Sequence, residues 1–304
     1  MSISPVTLRI LSIGTARDNF LKKLLSLHSS MQYELFPSER FTFFSLSSGS
    51  CGNCYYLGNS RYGILIDAGL GPRVIRKRLA QHGVELSSIM AILITHDHYD
   101  HIKSAGYLGE KMYIPVYATR AVHRGIEACP MINNRLNGSA KYIEKGAPFQ
   151  IEDLRITAFN VPHDSNDNAG YLIEFGGQKL AIATDVGMIT EEVAHYMLQA
   201  NHLVIESNYD EEMLQNGRYP IYLKKRISSG TGHLSNRQAA EFLANNFHDG
   251  LRNIWLCHLS GDNNNPQLAY STMKEHLSRR GIEVGLQLSL RVFERNVLSD
   301  KTEF

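Results

Sequence analysis

No stretch of this chain is apolar for the roughly 18 residues that a membrane-spanning helix needs, so no membrane partner is expected. The first 30 residues lack the uninterrupted apolar core and the cleavage site of a secretory signal. Cysteine is scarce, with four in 304 residues. That excludes a disulfide scaffold and makes a reducing cytoplasm the expected location. An excess of one charge is missing too. Lys+Arg 31 against Asp+Glu 30 gives a net charge of +1. No global basic field advertises nucleic acid, so a polyanion has to be met by local patches. Repeats and low-complexity segments are also absent. What remains is 43% hydrophobic and 20% charged, enough for one large core.

What is present is concentrated in Thr95-His96-Asp97-His98-Tyr99-Asp100-His101. Three imidazoles and two carboxylates fall within these seven residues. Ile89 to Ile94, just before it, is a short apolar run that reads as a buried strand. Ile102 to Leu108, just after it, can carry on as a helix. The cluster therefore sits at a strand end, where α/β folds place their chemistry. A tight loop can turn His96 and His98 toward one ion and Asp100 and His101 toward a neighbour. Imidazole and carboxylate without thiolate suit zinc or another first-row divalent ion. A solvated polar loop is the bland alternative, and the HxHxDH spacing behind a buried strand counts against it.

Other strand ends carry similar residues. Gly63 to Ile66 ends in Asp67, and Leu154 to Phe159 leads to His163. The hairpin of Gly170–Phe175 and Lys179–Thr184, with Gly176-Gly177 as its turn, ends in Asp185. His202 to Ile205 ends in Glu206, and Arg252 to Cys257 ends in His258. Ile282 to Val292 closes the chain with strand-like residues. Pro72 to Leu79 reads as a helix with a basic face, and Thr119 as the cap of the next one. Cys51 and Cys54 form a CxxC without a second pair, so a structural zinc site is not expected there. Ser235 and Gln238 form a capping box, which puts His233 just ahead of a helix start. An anion is favoured at such a place, with Ser235 and Asn236 as its binding residues. His233 there can hold a phosphate oxygen or protonate a leaving alkoxide.

Taken together, the order and spacing of these residues resemble the metallo-β-lactamase-fold hydrolases. The combination SSGSCGNC, THDHYDH, DVG, IESNYD, GHLSN and CHLSGDNNNP is most similar to the YycJ/WalJ-type subgroup. The resemblance covers about Phe41 to Asn296. It implies an α/β (α+β) fold, an αββα sandwich of two mixed sheets with helices outside, over residues 41–304. Residues 1–40 are expected to be an extension outside that domain, with Met31 as a second possible start. The resemblance further implies two divalent ions, Zn²⁺ or Mn²⁺. His96, His98 and His163 would hold one, Asp100, His101 and His258 the other, and Asp185 would bridge them. Asp67 would hydrogen-bond a metal-held histidine from behind. Glu206 and His233 occupy places matching those that assist the leaving group in the transfer-RNA 3′-processing nucleases, although the loop reads GHLSN here. The implied function is a phosphodiesterase or nuclease of DNA exonuclease type, with DNA ahead of RNA, using a metal-bridging hydroxide that Asp100 helps orient. The alternative is hydrolysis of a small ester, such as a cyclic phosphodiester, thioester or lactone, on the same fold.

Overall fold

A computed structural model of the chain describes residues 40–304. The extension expected over residues 1–40 thus lies outside the described residues, Arg40 excepted. The alternating and apolar runs form strands that pair into two seven-stranded sheets. In the first, β1 (Thr42–Ser47), β2 (Cys54–Gly58) and β3 (Gly63–Ile66) form an antiparallel meander. Parallel strands β4 (Ile89–Leu93), β5 (Val116–Ala118) and β6 (Ala140–Tyr142) extend it from β3. The second sheet opens with antiparallel β7 (Phe149–Ile151), β8 (Leu154–Asn160), β9 (Ala169–Phe175) and β10 (Gln178–Ala183). Parallel β11 (His202–Glu206), β12 (Asn253–Cys257) and β13 (Ser289–Val292) follow. A last short strand, β14 (Thr302–Glu303), returns to pair with β1.

The alternation explains the layers. Phe43, Tyr55 and Ile66 of the first sheet meet Ile156, Tyr171 and Trp255 of the second in a central core. The opposite faces are apolar as well, because parallel strands are covered on both sides. Helices Pro72–Gln81, Ala105–Met112 and Arg120–Ala128 lay Ile75, Leu79, Leu108 and Val122 on the first sheet. Helices Glu191–Met197, Asn236–Asn245 and Pro266–Arg279 lay Val193, Leu243 and Met273 on the second. This is the expected αββα sandwich. Among the described residues no helix is long and apolar enough to cross a membrane.

Several local expectations need correction. The helix expected over Ile102 to Leu108 is broken at Lys103 and Ser104 into Tyr99–Ile102 and Ala105–Met112. The Ser104 amide turns aside to donate to the Ala68 carbonyl at 2.8 Å, and its hydroxyl donates to that of Leu70. The strand-like run from Ile282 narrows to Ser289–Val292. Helices Glu191–Met197, Glu211–Asn216, Ile221–Ile227 and Pro266–Arg279 were not read from the sequence. The turn Gly176-Gly177 holds, with φ of 52° and 77° where a two-residue turn of this hand requires positive values.

Among the described residues, all strands of both sheets and every candidate ligand lie within 41–304. Deleting residues 1–40 is expected to leave metal content and hydrolysis largely unchanged. Metal analysis and an esterase assay of the shortened chain check this, and loss of either would tie the leader to the core.

Candidate active site

The C-terminal ends of β3, β4, β8, β10, β11 and β12 gather at one edge of the sandwich. Asp67, Asp185 and His258 end three of these strands in left-handed backbone, with φ of 60°, 53° and 54°. Such angles cost a non-glycine residue about 1–3 kcal/mol and concentrate at functional sites. Here they swing each side chain off its strand line and toward a common centre.

Asp67 organises the histidine loop. One of its oxygens accepts the Thr95 amide at 2.9 Å, and the other receives His101 Nδ1 at 2.7 Å. The Thr95 hydroxyl bonds Asp67 and also reaches His96 Nδ1 at 3.0 Å. With Nδ1 engaged on both rings, Nε2 is the nitrogen that faces the centre. His163 Nδ1 donates to the Gly232 carbonyl at 2.9 Å, and His258 Nδ1 lies 2.8 Å from Glu206 Oε1. Asp185 sits between the two groups. One of its oxygens is 3.3 Å from His101 Nε2, and the other is 3.6 Å from His163 Nε2 and 3.4 Å from His258 Nδ1. Asp100 Oδ2 stands 3.6 Å from His101 Nε2 and 3.9 Å from His258 Nε2.

The structure thus brings together His96, His98 and His163 as one set, and Asp100, His101 and His258 as another, with ligand atoms within 4.8 Å in each. His96 Nε2, His163 Nε2, His258 Nε2 and Asp185 Oδ2 are buried without a hydrogen-bond partner. Each such atom would cost roughly 1–3 kcal/mol if nothing met it. Four such nitrogen and oxygen atoms, drawn from the two ligand sets and the aspartate between them, fit divalent cations.

Electrostatics point the same way. Burial and the neighbouring His101 push the His96 pKa well below its ordinary value. Burial also opposes charge on His101, but Asp67, Asp185 and Asp100 outweigh it and hold that pKa well above the usual range. Burial would raise Asp185, yet His258 and His101 hold it well below the usual carboxylate range. In His258 burial is again overcome, chiefly by Asp185, and its pKa rises to about 10. The carboxylates thus create a negative field that a proton or a cation must balance.

Glu206 is fully buried behind this centre. The two residues placed on the leaving-group side meet here, with His233 Nδ1 2.8 Å from Glu206 Oε1. The same oxygen also receives His258 Nδ1, so one carboxylate fixes two rings. Its other oxygen accepts the Val186 and Leu234 amides at 2.7 and 3.1 Å. Burial works against charge on Glu206, but His233 and His258 keep its pKa low, and Glu206 in turn raises that of His233 against burial. His233 lines an open cavity of about 270 Å³ with His98, Asp100, His163, Asp185 and His258.

Their burial and internal hydrogen bonds count against Ser235 and Asn236 as phosphate-binding residues. Both are buried. The Ser235 amide donates to Gln238 in the capping box, its hydroxyl donates to Glu211, and the Asn236 amide donates to the Tyr209 carbonyl. The Asn236 side chain is taken up by Ser207 and Asn264. The Ser235, Asn236 and Gln238 amides at the start of the helix Asn236–Asn245 are thus taken up within the chain.

Several contributors were not singled out from the sequence. Asn53 Nδ2 lies 2.9 Å from His101 Nε2 and 3.3 Å from Asp100 Oδ2, and the GNC of its small-residue loop was the available signal. Asn168 donates to the Asp185 carbonyl, and Asn208 to that of His258, at 2.9 and 2.8 Å. Each pins the backbone of a strand-end residue. Gly69 has its own role: a Cβ there would stand 1.6 Å from the Asp100 carbonyl oxygen. Gly69→Ala is expected to shift Asp100 and lower metal content. Metal analysis beside a thermal melt checks this, since a full complement of metal would show that the loop can yield.

The family model described as "Beta-lactamase superfamily domain" matches residues 62–246. The chain is 35% identical to "Exodeoxyribonuclease YycJ" of Bacillus anthracis over 240 residues, 79% of this chain and 90% of that one. It is 34% identical to "Exodeoxyribonuclease WalJ" of Streptococcus pneumoniae over 251 residues, 82% of this chain and 93% of that one. Among solved structures, the metallo-β-lactamase fold protein YhfI from Bacillus subtilis superposes with a TM-score of 0.65 at 15% identity, covering 88% of this chain and 100% of the other.

Proposed function

The chain belongs to the β-lactamase superfamily, in the group of the YycJ and WalJ exodeoxyribonucleases, and we propose that it removes nucleotides from DNA ends by hydrolysis at a two-ion centre. It is a metal-dependent hydrolase of phosphodiester bonds. The observation that carries the finer reading is the set of buried, unpartnered nitrogen and oxygen atoms that converge beside the Glu206–His233 pair. His96, His98 and His163 would hold one ion, Asp100, His101 and His258 the other, and Asp185 both. Bound there, divalent ions supply Lewis acidity to the scissile phosphoryl group and lower the pKa of an attacking water to near neutrality.

The chain's own residues do the rest. Asp67 and Thr95 fix the tautomer and direction of the rings. Asp100, at the cavity wall, is placed to accept a hydrogen bond from the attacking water and orient it. Glu206 holds His233 by Nδ1 and favours the protonated ring, which would offer its Nε2 proton to the leaving oxygen. Full-length protein loaded with Mn²⁺ or Zn²⁺ and given end-labelled DNA, RNA and bis-p-nitrophenyl phosphate tests the reading. Release of short products from DNA supports it. Activity on small esters alone would move the enzyme to the alternative class.

A further inference from the structure

The stretch from Gly217 to His233 stands apart from the rest of the second half. No residue of its helix Ile221–Ile227 is buried. Ile221 and Tyr222 are 73% and 74% exposed. The segment is nevertheless firmly tied at one end. The His233 amide donates to the Ile227 carbonyl at 2.8 Å, and the Gly232 carbonyl accepts from His163 Nδ1 at 2.9 Å. A Cβ on Gly232 would come within 2.2 Å of the Arg226 and Ile227 carbonyl oxygens, so the turn closes tightly on the helix. On its inner side Leu223, Arg226 and Ile227 line the same cavity as His163 and His233. This makes the helix one wall of the active site, with its outer side facing water.

Its charge is one-sided. Residues 217–233 hold Arg218, Lys224, Lys225 and Arg226 and no Asp or Glu, in a chain whose net charge is only +1. Lys224 Nζ donates to the Gln215 carbonyl, and Arg226 pairs with Asp164. Lys225 is exposed and makes no ion pair among the described residues. An exposed aromatic ring next to a free cation, on the wall of a phosphodiester site, has the chemistry of a nucleic-acid platform. Bases stack on the ring and phosphates meet the cation. Among the described residues none buries a side chain of this helix.

We propose that Ile221–Ile227 is a strand-gripping wall, in which Tyr222 stacks a base and Lys225 meets a phosphate of the nucleotides adjoining the one in the active site. The inference rests on the nuclease reading above and assigns it a substrate contact outside the reacting centre.

The test uses metal-loaded full-length protein and end-labelled DNA. Tyr222→Ala is expected to raise KM for DNA roughly tenfold, with kcat within about twofold, in the range that a lost base stack costs. Tyr222→Phe keeps the ring and should restore the wild-type KM. Lys225→Ala should lower the slope of log KM against log salt by roughly 0.7–0.9, the share of one phosphate contact. Lys77→Ala removes an exposed cation on the helix Pro72–Gln81 and should not alter that slope. Unchanged KM and salt slope in Tyr222→Ala and Lys225→Ala, with wild-type protein cutting DNA, would overturn the wall and leave the nuclease reading in place. Wild-type protein that cuts no nucleic acid would overturn the nuclease reading, and the wall with it.

Discussion

His98→Ala combined with Asp185→Ala is expected to remove tightly held metal and hydrolysis together. Asp185 is 2% exposed, and its two oxygens reach toward both ligand groups, so its loss takes a donor from each. His98 completes the set with His96 and His163, and its loss leaves two imidazoles, too few for a stable site. The fall in affinity should exceed the roughly 10- to 100-fold that follows loss of an outer hydrogen-bond partner. Protein purified without chelator should carry close to two equivalents of metal as wild type and almost none as the double variant. A fully loaded double variant would mean that the ions sit elsewhere.

A second large effect is expected at His233, where metal and chemistry separate. The ring is held by Glu206 at 2.8 Å, lies 3.9 Å from Asp185 and lines the cavity beside the proposed ligands, so the variant decides between a proton donor and a further ligand. His233→Ala should retain both ions and the fold while losing on the order of 10²–10⁴ in DNA turnover, the usual contribution of a general acid. The loss should be smaller on bis-p-nitrophenyl phosphate, because nitrophenolate leaves with little need of a proton. Simple phosphate binding by the ring would weaken both substrates alike. Full activity of His233→Ala on DNA, or loss of an ion from it, would contradict the assignment.

Much of this was legible in the sequence, for a physical reason. A buried parallel strand such as Ile89–Leu93 or His202–Glu206 is a continuous apolar run, and the residue that ends it stands out against it. Asp67, Asp185, Glu206 and His258 could be found in that way, and His163 by its place after the strand Leu154–Asn160. The left-handed angles that turn Asp67, Asp185 and His258 inward leave no mark in composition. The sharing of Glu206 between two histidines also stayed hidden, because it depends on how β11, β12 and the His233 loop approach in space. The capping box at Ser235 was read correctly as a helix start. As an anion site it is weakened, because the Ser235 and Gln238 amides are already used within the capping box. The helix Ile221–Ile227 escaped notice because it buries no side chain and shows no apolar period.

The most direct test of the central claim is the initial rate of end-labelled DNA hydrolysis by chelator-stripped protein as Mn²⁺ or Zn²⁺ is returned stepwise. The two-ion centre predicts a rate that starts near zero and levels off close to two equivalents per chain. A rate that is independent of added metal, or that reaches its plateau at one equivalent, would contradict it.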